Sequence, residues 1–91
     1  MNNISYIKSS LAFAIKMREK YVQLFKEWQH NSINKLNDYC KGVIDTDEYC
    51  RFIRAYNNVM LQYEYWLSQE TYLQYRYNEE CKNAKFNNSN G

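Results

Sequence analysis

Apolar residues recur at Ile4, Ile7, Leu11, Ile15, Val22, Phe25, Ile33, Leu36 and Cys40, in steps built from threes and fours. That spacing returns to one side of a helix and predicts a long amphipathic helix over about 4–41. Asn3 is its candidate cap. Lys41-Gly42 reads as its end, with a cation in the last turn and a glycine able to take the left-handed conformation. The weakest stretch is His30-Asn31-Ser32, where poor helix formers cluster and a kink has its best chance. Asp45-Thr46-Asp47-Glu48 then announces a second helix, with Asp45 as N-cap and three acids at the positive helix end. Its stripe is Tyr49, Phe52/Ile53, Tyr56, Val59/Met60, Tyr63, Trp66/Leu67, Leu73, Tyr77 and Cys81, predicting a helix over about 46–84. The remainder, KFNNSNG, has no pattern, so one domain over 1–85 and a frayed polar tail at 86–91 are expected.

Only Gly42-Val43-Ile44 separates the helices, and so short a loop implies an all-α antiparallel hairpin. Facing residues in such a hairpin have numbers with a constant sum. A sum of 88 pairs Ile7 with Cys81, Leu11 with Tyr77, Ile15 with Leu73, Val22 with Trp66, Phe25 with Tyr63 and Leu36 with Phe52. The two polar interruptions, Arg18 and Glu70, share that sum and are expected to form a partly buried ion pair that fixes the register. A second apolar stripe lies beside the first. It comprises Phe13, Met17, Tyr21, Leu24 and Trp28 on helix one, with Leu61, Tyr65, Tyr72 and Tyr75 on helix two. A lone hairpin would expose these residues, so they are the expected partner-binding surface, completing a four-helix bundle by dimerisation or by docking on another protein.

Composition supports the helical reading. The 91 residues include no proline and only two glycines, too little turn chemistry for a β-sandwich or a βαβ fold. Net charge is +2, too balanced for a dedicated nucleic-acid binder. It divides unevenly: residues 1–42 carry seven basic and three acidic side chains, and 43–91 carry five and seven. Halves of opposite sign suit two helices that lie together. Cys40, Cys50 and Cys81 are an odd set without a C-x-x-C spacing and far in sequence from the one histidine, His30. Reduced, buried structural thiols are expected, with no zinc site. No stretch has the length and apolarity of a transmembrane helix, and the start lacks the basic segment of a signal peptide, so a cytoplasmic location is expected.

No catalytic constellation is legible. His30 has no acid one turn away, Glu79 and Glu80 point in different directions, and Asp45, Asp47 and Glu48 are explained by capping. No cofactor is implied. Lys16, Arg18 and Lys20, and again Lys35, Lys41, Arg51 and Arg54, form basic clusters, but Glu19, Asp38 and Glu48 dilute them. A nucleic-acid-associated regulator is therefore the third reading. Membrane-surface binding is disfavoured by polar faces of mixed sign. A hairpin of this length with a central turn resembles the small partner proteins of type VII secretion (the WXG100 group). Gly42 matches the glycine of their W-x-G turn, and Tyr75 through Glu79 matches their Y-x-x-x-[DE] export motif. That resemblance implies a partner or chaperone of an exported substrate, secreted without a leader. Asn, Lys, Tyr, Ile and Phe supply 40 residues, an AT-rich codon set. The first expectation is a non-enzymatic interaction protein, encoded by a phage or mobile element, that binds itself or a host protein and modulates or inhibits the latter.

Overall fold

Two α-helices, α1 (Asn3–Cys40) and α2 (Thr46–Asn90), pack against each other. The structure is a computed structural model in which residues 3–90 are described, with side chains through Lys85. Asn3 already lies within α1, so it is not its cap. No break occurs at His30-Asn31-Ser32. Ser32 Oγ donates to the Gln29 carbonyl at 2.7 Å, a bond made inside the helix, and no proline is present to remove one. Likewise α2 continues to Asn90, past the end expected at 84, because no glycine or proline precedes Gly91 to stop it. The side chains of the expected tail lie outside the described residues.

The turn follows from one glycine. Gly42 has φ +76°, the left-handed conformation that ends a helix. Its N–H donates to the Tyr39 carbonyl at 3.1 Å, and that of Val43 reaches back to Asp38 at 2.8 Å. These two bonds satisfy carbonyls that the end of α1 would otherwise leave open. Three residues later Asp45 Oδ1 accepts the Glu48 N–H at 2.8 Å and caps α2, with Asp47 and Glu48 in its first turn.

On α1 the residues Ile7, Leu11, Ala14, Arg18, Tyr21, Phe25, Trp28, Ser32, Lys35 and Tyr39 are all buried or half-buried. Their spacing alternates four and three without a slip. On α2 the same holds for Tyr49, Phe52, Tyr56, Val59, Tyr63, Trp66, Glu70, Leu73 and Tyr77. This is the seven-residue repeat of a coiled-coil seam. It corrects the expected stripe in the second half of α1. Ile33 is 65% exposed and Leu36 46%, and Cys40 is exposed as well. The strict repeat carries the seam from Phe25 through Trp28, Ser32 and Lys35 to Tyr39, so the apolar residues at 33, 36 and 40 each miss it by one position. Leu36 therefore does not face Phe52; Trp28 does.

The chain divides into two compact units. One is formed by α1 up to Arg18 with α2 from Tyr65 onward, the other by Glu19–Glu64. The first holds the buried hydrophobic residues Ile7, Leu11 and Ala14, at 5%, 7% and 1% exposure. Arg18 and Glu70 meet in this unit, Nε to Oε2 at 2.6 Å and Nη2 to Oε1 at 3.3 Å. In the second unit Phe25 sits between Tyr56 and Tyr63, with ring centroids 5.7 and 5.8 Å away. A residue lodged between two neighbours seven apart is the knob-into-hole contact expected of a heptad seam. Trp28 stacks on Phe52 at 5.1 Å, and Tyr39 on Tyr49 at 4.7 Å. Arg18–Glu70, Phe25–Tyr63 and Tyr39–Tyr49 all obey the sum of 88.

Candidate interaction surface

Five aromatic rings of the first unit are more than half exposed, Tyr75 at 62% and an array of four: Tyr6 at 74%, Phe13 at 54%, and Tyr65 and Tyr72 at 52%. The heptad explains the array. Tyr6 and Phe13 are seven apart on α1, as Tyr65 and Tyr72 are on α2, and both cross-helix pairs sum to 78. Tyr6 and Tyr72 line one cavity of about 320 Å³, floored by Ile7 and Leu73. Phe13 and Tyr65 both present T-shaped contacts to Trp66, at 5.5 and 5.0 Å. Trp66 is thus the base beneath Phe13 and Tyr65. Its Nε1 is buried and has no hydrogen-bond partner. Ala14, next to Phe13 in the chain, is almost wholly buried. At the edge, Arg76 Nη1 donates to the Tyr72 hydroxyl at 3.1 Å and Nη2 lies 3.7 Å from Glu80. The hydrogen bond and charge of Tyr72 raise the Arg76 pKa above its ordinary value.

The expected partner-binding stripe is redistributed. Phe13, Tyr65 and Tyr72 belong to the array, and Met17 is half-buried in the same unit. Tyr21, Leu24, Trp28 and Leu61 belong to the second unit. Tyr21 and Trp28 are seam residues there, and Leu24 is half-buried beside them. Leu61 and Tyr75 are 57% and 62% exposed but stand farther round α2 from its seam than Tyr65 and Tyr72, by roughly 40–60° at 3.6 residues per turn. Tyr6 was not among the expected residues. Its signal was the seven-residue spacing to Phe13, which a stripe traced by threes and fours from Phe13 onward does not reach.

The second unit carries a groove of about 520 Å³ lined by Trp28, Asn31, Asn34, Lys35, Asp38, Glu48, Arg51, Phe52 and Ala55. Lys35 lies 4.0 Å from Glu48 and 5.9 Å above the Phe52 ring. The basic cluster expected near the turn is thus interleaved with acids. Among the described residues no three His, Cys, Asp or Glu side chains come together as a metal set. The three cysteines are free, but Cys40 and Cys50 are exposed, contrary to the expected buried role. Each follows a tyrosine, Tyr39 or Tyr49, that takes the seam position itself. Only Cys81 is half-buried; it hydrogen-bonds the Tyr77 phenol and raises its pKa. No helix among the described residues is long and apolar enough to cross a membrane.

No protein-family model matches the sequence, and neither a curated protein nor a solved structure is significantly similar to it. The resemblance to type VII secretion partners therefore rests on Gly42 and the Tyr75–Glu79 spacing.

Proposed function

We propose that this chain is a non-enzymatic protein–protein interaction module that works through the aromatic face of its first unit. Two helices of another chain cover Tyr6, Phe13, Tyr65 and Tyr72 and complete a four-helix bundle. In that form it acts as a small phage or mobile-element protein that binds and modulates or inhibits a host protein. One observation carries the reading: four rings, each more than half exposed, stand in two heptad-spaced pairs, Phe13 and Tyr65 against Trp66 and Tyr6 and Tyr72 about one cavity. Contiguous exposed aromatics of this kind are the usual core of an interface, where rigid rings remove much area from water at little entropic cost. The small interior favours it too, since among the described residues three hydrophobic side chains are buried.

The test is capture on the immobilised full chain, with lysate and with added chain, comparing wild type against Phe13→Glu/Tyr65→Glu. The ring variant is expected to release the bound chain while its far-ultraviolet circular dichroism stays helical. Leu61→Glu serves as the control away from the face. A set of bound proteins that is identical for wild type and ring variant sinks the reading.

A further inference from the structure

Resting on that reading, we propose that the chain covering the aromatic face is a second copy of this one, docked about a two-fold axis. Area is the first argument. An aromatic side chain buries about 150–250 Å², so rings exposed by 52–74% leave roughly 500 Å² in the array. Two copies face to face remove roughly 1,000 Å² from the rings alone, which reaches the lower bound of a specific interface.

Charge is the second argument. Between the rings, on the side of each helix nearer the seam, lie Ser10, four on from Tyr6, and Gln69, four on from Tyr65, both half-buried. Neither is charged. The cation at the edge, Arg76, is held by Tyr72 and Glu80. In a two-fold interface each side meets its own surface, so a charge inside the patch would face its copy. A neutral patch is compatible with itself. Geometry is the third argument. Because the rings form two levels of two, either two-fold lying in the plane of the face sets ring against ring. An axis along the helices opposes Tyr6 with Tyr72 and Phe13 with Tyr65; one across them opposes Tyr6 with Phe13 and Tyr65 with Tyr72.

Sedimentation equilibrium of the purified full chain tests this. Wild type is expected at twice 11.1 kDa at tens of micromolar. Tyr6→Glu/Tyr72→Glu is expected to weaken association by about 100-fold or more, with its helical circular dichroism unchanged. If that variant loses helicity, Tyr6→Ser/Tyr72→Ser is read in its place. Leu61→Glu/Tyr75→Glu is expected to leave the mass at that of the dimer. A wild type that stays monomeric at several hundred micromolar overturns the proposal, and so does a dimer that survives the ring substitutions. In the first case the interaction reading stands or falls separately, on whether the same face captures a different chain.

Discussion

Arg18 and Glu70 share two hydrogen bonds while keeping 27% and 23% of their side chains exposed. That exposure places the pair between a surface bridge and a buried one. Removing one partner leaves the other charge partly desolvated, so Glu70→Leu is expected to lower stability by about 1–2 kcal/mol. Arg18→Met with Glu70→Leu is expected to recover most of that loss, because the stranded charge is gone. Urea unfolding followed by circular dichroism reads both; a single variant as stable as wild type would remove the pair from any role in register. A second pair in the same unit responds to pH. The Tyr77 pKa is raised above 10.0, chiefly by its hydrogen bond to Cys81, then by the charge of that thiol and by burial. A raised acid favours its protonated form in the fold. Its contribution to stability is therefore complete below the ordinary phenol pKa and is lost as pH climbs through the higher folded value. Cys81→Ala is expected to bring this phenol back toward the others in an ultraviolet difference titration. An unchanged titration curve would show that the thiol does not set the shift.

At the level of the helices, α2 was legible almost residue by residue, because Tyr49, Tyr56, Tyr63 and Tyr77 mark the seven-residue repeat openly. The first half of α1 was legible through Ile7 and Leu11, and the sum of 88 came from pairing the two. The second half of α1 misled for a physical reason. Ser32 and Lys35 occupy seam positions, and the apolar side chains stand one place away at Ile33 and Leu36. Continuity of the helix decides which residues face the partner, and a polar residue is carried inward with it. Ile33→Gln is accordingly expected to change stability by no more than about 0.5 kcal/mol. Ser32→Ala is expected to raise it by about 0.5 kcal/mol, since alanine is the better helix former. A large loss from Ile33→Gln in thermal unfolding would restore the apolar stripe to the seam. At the turn, a Cβ on Gly42 meets nothing within 4 Å, so only the backbone opposes substitution. Gly42→Val is expected to lose about 1–2 kcal/mol, and Gly42→Asn less, asparagine being tolerant of positive φ. Equal losses from the two in urea unfolding would point to something other than left-handed strain.

Across the whole chain the two units differ in what holds each together. The first has Ile7, Leu11 and Ala14 buried, Trp66 packed against two rings, and a two-bond ion pair. The second is held by half-exposed ring stacks, and between Trp28 and Tyr39 its seam passes through Ser32 and Lys35. Local opening is easiest where few apolar contacts are lost and the backbone is already wet. Hydrogen exchange is therefore expected to be slowest around Leu11–Ala14 and at Leu73, and faster in 29–38. The proposed second copy would add a concentration term, because whatever covers only the folded first unit stabilises it by mass action. Raising the protein concentration is then expected to slow exchange in 7–14 and 66–73 while leaving 29–38 nearly unchanged. The array variant Tyr6→Glu/Tyr72→Glu is expected to abolish that dependence without erasing the difference between the segments. Exchange that is uniform along both helices would contradict the unequal burial, whereas unequal exchange with no concentration dependence would contradict the dimer alone.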